Sequence, residues 1–165
     1  MAESPFYGGI LSYDIHTYWN NNNENERKLA YDLREKVLKE FADDIAKENI
    51  RVYKFWEKPI GPHPINMWEL DFKSPEMFVK LVPFFQLNHG KLSVLIHPRS
   101  QEGAFPDHTK NALWLGHKLP VYAQCLIYHP GQFHTEHMDM KLGCNDAAHF
   151  GIGAAKSVYS GFHVE

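Results

Sequence analysis

The sequence contains little cysteine and no long apolar run. Its two cysteines, Cys125 and Cys144, are too few for the disulfide framework of a small secreted protein. No apolar stretch reaches the roughly 18 residues that a membrane-spanning helix requires. The first residues, MAESPFYGG, lack the basic start and the apolar core of a signal peptide. We therefore expect a cytoplasmic protein without a membrane segment.

An excess of positive charge is also lacking. The chain has 17 lysines and arginines against 20 aspartates and glutamates, and its formal net charge is −3 with neutral histidines. Nucleic-acid-binding domains concentrate basic residues on one surface, so nucleic acid is not an expected partner. The 165 residues, of which 44% are hydrophobic and 22% charged, are typical of a soluble globular protein with one main domain.

Histidine and aromatic residues, in contrast, are plentiful. There are 11 histidines, and aromatic residues make up 14% of the chain. Many histidines beside few cysteines favour metal chemistry through imidazole and carboxylate ligands over thiolate sites. Aromatic side chains suit a pocket for a flat ligand, although they suit a hydrophobic core equally well.

The segment from Gly8 to Trp19 alternates like a β-strand. Ile15 and Trp19 fall on its more apolar face, and Asp14 and His16 fall on the other, because side chains alternate across a strand. We expect the apolar face to carry the core and the other face to be more open. A lone histidine in a strand is more often a hydrogen-bonding residue than a ligand, so the meaning of His16 depends on the residues that join it.

Two amphipathic helices are predicted from the spacing of apolar residues. The first begins after an asparagine cap, Asn23, with Glu26 three positions further on. Its apolar stripe consists of Leu29, Leu33, Val37, Phe41 and Ile45. The second begins after a serine cap, Ser74, with Pro75 in its first turn, and ends at Gly90.

Three further strands are predicted, at Ile50–Glu57, Met67–Phe72 and Leu92–His97. The order strand, helix, strand then occurs twice. This order predicts an α+β protein with the ferredoxin-like βαββαβ fold, in which two helices cover one face of a four-stranded antiparallel sheet. The other face must be closed by a second subunit or by the C-terminal part of the chain.

The chain beyond Arg99 has no clear periodicity. We expect a polar loop at RSQEGAFPDHT, and NALWLGHKLPV is compatible with either a helix or a strand. The predicted domain covers residues 1–124, and residues 125–165 form a C-terminal extension that is packed on the domain or partly ordered. Possible ligands of a second metal ion in the extension are His129, His134, Glu136, His137 and Asp139. Their spacing fits no helical ligand pair, so a polar extension is the favoured interpretation.

Four histidines can reach the open face of the predicted sheet. They are His16, His63, His97 and His108. Alternation in the fourth strand directs Val94 and Ile96 to the helices and His97 to the open face. Two imidazoles and a carboxylate around open positions are the arrangement of non-haem Fe(II) oxygenases. The candidate carboxylates are Asp14, Glu69, Asp71 and Asp107, although spacing alone does not require a metal.

Five motifs occur together and in a fixed order. They are YDIHTY at 13–18, EKPIGPHP at 57–64, LSVLIHP at 92–98, DHT at 107–109 and ALWLG at 112–116. In this combination the sequence resembles the DOPA 4,5-dioxygenase family of fungal pigment enzymes and their bacterial relatives, over residues 8–120. The resemblance implies a ferredoxin-like fold, a homodimer with α/β barrel-type pairing, and extradiol cleavage of L-DOPA or a related catechol by O2. It also implies a non-haem Fe(II) cofactor, whose place another divalent ion such as zinc could take.

The resemblance assigns the four histidines to the active site. We expect His16, His97 and His108 to be metal ligands, and His63, held between prolines, to act as an acid/base group or to contact the substrate. Arg99 is a candidate partner for a substrate carboxylate. Candidates for stacking on the catechol ring are Tyr18, Trp68 and Trp114.

One departure from the family leaves other functions open. Many relatives carry a further histidine near the position of Asn111. If that histidine is needed for activity, this chain would be a non-catalytic metal- or ligand-binding protein on the same fold. A third possibility is a structural dimerisation module in which the aromatic residues only form the core.

Overall fold

A five-stranded antiparallel sheet forms the centre of the computed structural model, which describes residues 4–128. The strands are β1 Ser12–Trp19, β2 Ile50–Val52, β3 Asn66–Phe72, β4 Ser93–Arg99 and β5 Leu113–Leu115. They lie in the order β2-β3-β1-β4-β5. The α+β class is confirmed, but the described sheet has one strand more than predicted, because the ambiguous segment around Trp114 pairs with β4.

Helices surround this sheet. They are α1 Glu24–Glu40, α2 Ala42–Ala46, α3 Pro75–Asn88, α4 Ala104–His108 and α5 Gln124–Tyr128, and a 3₁₀ turn lies at Tyr7–Gly9. None of these described helices is long and apolar enough to cross a membrane.

The predicted helix caps are present. The side chain of Asn23 accepts a hydrogen bond from the backbone N–H of Glu26 at 3.2 Å, and Ser74 Oγ accepts one from Met77 at 3.3 Å. Gly90 follows α3 in the left-handed conformation, with φ 58°, which glycine adopts without steric cost. The starts of both main helices and the end of α3 were therefore predictable from local sequence.

The interior of the first helix differs from the prediction. Leu29 is 42% exposed, and the buried stripe starts at the next residue, Ala30, and continues with Leu33 and Val37. The helix also ends at Glu40, and the last two residues of the predicted stripe, Phe41 and Ile45, belong to the joint and to the short helix α2. A break of this kind keeps the apolar spacing and is therefore hidden in the sequence pattern.

The second strand is shorter than predicted because the chain bulges after Val52. Val52 pairs with Leu70, and the next pair is Trp56 with Met67. The chain therefore advances by four residues on one strand and by three on the other between these two pairs. One extra residue of this type interrupts a ladder and bends the chain. The bulge leads into the loop that carries His63.

One face of the sheet packs on α1 and α3. The strand residues that point to this side include Ile15, Trp19, Leu70, Phe72, Val94 and Ile96, and helix residues such as Leu33, Val37, Leu81 and Phe85 cover them. Trp68 also lies in this core and its indole N–H donates to Ala30 O at 3.0 Å. Trp68 is therefore a core residue, the more common place for an aromatic side chain in such a pattern, and not a candidate for stacking on a ligand, because it faces the helices.

The opposite face is covered in part by the chain itself. Tyr18, Met67 and Leu95 form a second apolar cluster with Trp56, and side chains from residues 60–65 and 112–121 pack against it. The segment predicted as a polar loop contains α4, which places His108 over this face. A single helical turn carries too little periodicity to be recognised in the sequence.

Candidate metal centre

His16 and His97 form the centre of the second face. They lie on the neighbouring strands β1 and β4, where Asp14 pairs with His97 and His16 with Leu95. The Nε2 atoms of the two rings are 3.0 Å apart. Both residues are buried, with 2% and 0% of their surface exposed. Alternation placed them on one face, and the register of the two strands brings them into contact.

The other two predicted histidines join this pair. The ring of His63 lies 4.2 Å from that of His16, and the ring of His108 lies 3.9 Å from that of His97, measured between centroids. One ligand atom each of His16, His63 and His108 lies within 4.8 Å of the other two, and the same is true of Asp14, His16 and His97. All four histidines thus converge on one buried site.

Hydrogen bonds fix the tautomer of two of these rings. His97 Nδ1 donates to the carbonyl oxygen of Pro98 at 2.9 Å, and His108 Nδ1 donates to that of Ala104 at 2.8 Å. A carbonyl can only accept, so the proton of each neutral imidazole is on Nδ1 and the lone pair is on Nε2. His97 and His108 are therefore both prepared to bind a cation through Nε2.

His16 has a carboxylate in the corresponding place. Its Nδ1 lies 3.0 Å from Glu69 Oε2, and a carboxylate at this distance favours a proton on Nδ1. Sequence alternation put Glu69 on the open face, but only the pairing of β1 with β3 sets it opposite His16. This contact could not be found without the register of the sheet.

The donor set fits a divalent metal ion. Two imidazole Nε2 atoms 3.0 Å apart either share a proton in a hydrogen bond or bind one cation between them. At an imidazole–metal distance of about 2.1 Å, two ligands at about 90° lie roughly 3.0 Å apart. Asp14 Oδ2, 3.6 Å from His97 Nε2, adds a nearby negative charge. Imidazole and carboxylate groups suit iron and zinc.

His63 has a different hydrogen-bond pattern. Its Nδ1 lies 2.7 Å from the hydroxyl of Tyr18. Burial, and then the charge of Glu69, raise the pKa of Tyr18 well above its ordinary value. The phenol therefore keeps its proton, and we assign that proton to the hydrogen bond with Nδ1. His63 consequently carries its own proton on Nε2. Burial and the neighbouring His97 lower the pKa of His63 to about 3, and the ring is neutral at pH 7.

Arg99 lies beside the histidines within a buried charge network. Its Nε donates to Asp14 Oδ2 at 3.1 Å and its Nη2 to Asp71 Oδ2 at 3.3 Å. Asp71 also accepts two hydrogen bonds from Arg51, at 3.2 and 3.3 Å. Arg99 is thus placed at the site, with two of its donors engaged by carboxylates of the chain. Its predicted contact with a substrate carboxylate stays a prediction.

Trp114 and Tyr18 form an aromatic wall next to His63. Their rings stack with centroids 5.8 Å apart and an angle of 24° between the planes. The buried indole N–H of Trp114 has no hydrogen-bond partner among the described residues. Two of the three aromatic residues predicted as candidates for stacking on a ligand therefore lie at the site, and Trp114 offers a donor as well as a ring.

Asp107 and Asn111 form hydrogen bonds that stabilise the chain around α4. Asp107 accepts a hydrogen bond from the backbone N–H of Ser100 at 2.8 Å and fixes the turn before the helix. Asn111 is half-buried, and its amide donates to Glu102 Oε2 at 3.2 Å and to Asp107 Oδ1 at 3.4 Å. The second group of possible ligands, from His129 to Asp139, lies outside the described residues.

This chain is similar to one protein family and to several known proteins. The family model of the Dopa 4,5-dioxygenase family matches residues 13–125. A 21.2 kDa protein of Botryotinia fuckeliana is 37% identical over 124 residues, which cover 71% of this chain and 64% of the relative. A DOPA 4,5-dioxygenase of Amanita muscaria is 29% identical over 140 residues, which cover 85% of this chain and 60% of the relative. The chain thus matches less than two thirds of the length of these relatives.

A solved structure is also similar. It is the crystal structure of a candidate dioxygenase from Nostoc punctiforme, with a TM-score of 0.60 and 30% sequence identity, covering 72% of this chain and 93% of that chain. The family match extends over more than half of the sequence and includes all four histidines of the site. The resemblance expected from the five motifs is confirmed: the chain belongs to the Dopa 4,5-dioxygenase family.

Proposed function

We propose that this protein is a non-haem Fe(II)-dependent extradiol dioxygenase that opens the ring of L-DOPA or a related catechol with O2. The observation that carries the proposal is the approach of His16 Nε2 and His97 Nε2 to 3.0 Å, with His108 alongside. Family membership and the name of the Amanita muscaria relative support the reaction class.

In this proposal His16, His97 and His108 hold the ion through Nε2. When bound, Fe(II) supplies a Lewis acid that acidifies the catechol hydroxyls and a redox centre for O2. Three neutral imidazoles leave the charge of the ion uncancelled, which favours an anionic catechol next to it. The hydrogen bonds from Nδ1 to Pro98 O and Ala104 O keep His97 and His108 in their binding tautomer.

The remaining side chains bind and orient the substrate. His63 holds a proton on Nε2, because Tyr18 donates to Nδ1, and in this proposal it donates that N–H to a catechol oxygen. The stacked rings of Tyr18 and Trp114 form an apolar wall for the aromatic ring. The free indole N–H of Trp114 is a donor for a polar group of the substrate.

Anaerobic loading tests the proposal. Protein loaded with Fe(II) is mixed with L-DOPA and then exposed to air. We expect consumption of one O2 per ring and the yellow colour of a ring-opened semialdehyde, with neither in metal-free protein. Fe(II) binding without O2 consumption, on L-DOPA and on simple catechols alike, would contradict an extradiol dioxygenase.

The same experiment distinguishes a second candidate, a non-catalytic metal- or ligand-binding protein. The position of Asn111 favours this alternative, because its amide is engaged by Glu102 and Asp107 where many relatives carry a histidine. Binding of catechol to the loaded protein without ring opening would support it.

The family resemblance also supports a homodimer, and the strand order β2-β3-β1-β4 supports a ferredoxin-like topology with β5 added at one edge. Sedimentation equilibrium at several protein concentrations tests the dimer. A single species with the 19.2 kDa mass of one chain would contradict it.

A further inference from the structure

We propose that Glu69 is a positioning residue that holds the proton of neutral His16 on Nδ1 and so favours metal binding by His16 and His97 over the hydrogen bond that their Nε2 atoms can form with each other. The inference deepens the proposed function and rests on it, because it assigns to a buried carboxylate the task of keeping two ligand nitrogens available for the ion.

The placement of Glu69 is determined by the sheet. His16 and Glu69 are directly paired residues of β1 and β3, so their side chains leave the same face. Glu69 Oε2 lies 3.0 Å from His16 Nδ1. The two residues expose only 5% and 2% of their surface, and a central strand restricts the movement of each.

A side chain is needed here because the backbone is engaged. His97 and His108 use carbonyl oxygens close to them in the chain, those of Pro98 and Ala104. His16 lies in the middle of β1, which is paired with β3 on one side and with β4 on the other. Carbonyl groups of a strand in this position are used by the two ladders, so an acceptor for Nδ1 has to come from a neighbouring side chain.

The alternative tautomer would inactivate the site. With its proton on Nε2, His16 would donate to the lone pair of His97 Nε2, only 3.0 Å away. Such a bond satisfies both nitrogens and removes two ligands from the proposed set at once. A carboxylate beside Nδ1 favours the other tautomer and directs both lone pairs to the ion.

The tautomer of His16 can be measured in metal-free protein by long-range ¹H–¹⁵N NMR. We expect a protonated Nδ1 in the unchanged protein, a bare Nδ1 with Nε2–H in Glu69→Ala, and recovery of the Nδ1–H form in Glu69→Gln, which keeps an acceptor oxygen. A bare Nδ1 in the unchanged protein, or the same tautomer in Glu69→Ala, would overturn the inference.

Zinc affinity, measured by competition with a chelator, gives the second readout. We expect Glu69→Ala to bind Zn²⁺ about 10–100-fold more weakly and Glu69→Gln to lose only part of this factor. Glu76→Ala, at an exposed position of α3, is the matched control and should bind like the unchanged protein. Equal affinity of Glu69→Ala and the control would also overturn the inference. Absence of zinc binding with the expected tautomers would instead count against the proposed function.

Discussion

Tyr18 donates its hydroxyl hydrogen to Nδ1 of His63 over 2.7 Å. This bond gives His63 the opposite tautomer from His97 and His108, whose Nδ1 atoms donate to carbonyl oxygens. A histidine with its proton on Nε2 is a hydrogen-bond donor to a substrate, whereas one with a lone pair there is a ligand. The proposed function therefore assigns two chemical roles to four similar residues of one site.

Replacement of Tyr18 by phenylalanine tests this division. Tyr18→Phe keeps the ring that stacks on Trp114 and removes only the donor to His63. We expect ring opening to slow by about 10-fold or more, while Zn²⁺ affinity stays unchanged. Initial rates of O2 uptake and a zinc titration measure the two effects. A parallel loss of metal affinity would show that Tyr18 supports the ligands and not His63.

The low pKa of His63 predicts a dependence of stability on pH. Burial holds this pKa at about 3 in the folded protein, whereas the unfolded value is close to 6.5. Between these values the unfolded chain binds one more proton, so the free energy of unfolding falls by up to about 1.4 kcal/mol per pH unit as the pH drops. Above pH 6.5 His63 is neutral in both the folded and the unfolded chain, so it no longer lowers the free energy of unfolding.

Urea unfolding of metal-free protein at pH 7, 6 and 5 measures this slope. In His63→Gln the group that takes up the proton is gone, so we expect the pH dependence to be flatter by about one proton. The comparison isolates His63, because the other histidines titrate in both proteins. Identical slopes would contradict a neutral His63 in the folded state.

Asp71 is predicted to be a main determinant of stability near the site. It is 1% exposed and accepts hydrogen bonds from both Arg51 and Arg99. Because Asp71→Asn removes a buried charge shared by two guanidinium groups, we expect a loss of about 3 kcal/mol in the free energy of unfolding. Glu57→Gln, which removes an exposed ion pair with Arg27, should cost less than about 1 kcal/mol.

Denaturant titration of the two variants against the unchanged protein provides the measurement. A similar small loss in both variants would mean that the network around Asp71 contributes no more than a surface pair. A metal titration of Asp71→Asn is informative as well, since Arg99 links Asp71 to Asp14 next to His97.

Sequence alternation could predict which side chains share a face, but not how far apart they lie. It placed His16, Glu69 and His97 on the open side of the sheet because each strand has a strict two-residue period. Their distances depend on the pairing of β1 with β3 and β4. Register is set by the whole sheet, and no local pattern in one strand reveals it.

The two histidines outside the strands were less accessible to prediction. His63 reaches the site through a loop that follows a one-residue bulge. The backbone N–H of His63 donates a hydrogen bond to Ile60 O at 3.0 Å within this loop. His108 is carried by the five residues of α4, a turn too short for a periodic signal. In both cases the family motifs marked the residue, and only the fold shows why it lies beside His16.

Single histidine substitutions decide which residues hold the ion. We expect His16→Ala, His97→Ala and His108→Ala to weaken Zn²⁺ binding by about 100-fold or more, and His63→Ala to retain the ion but lose ring opening. Spacing alone favours a different set, because the ligand atoms of His16, His63 and His108 lie within 4.8 Å of one another. Loss of zinc in His63→Ala with retention in His97→Ala would establish this second set, because His16 and His108 are common to both. Equilibrium dialysis with each folded variant provides the measurement.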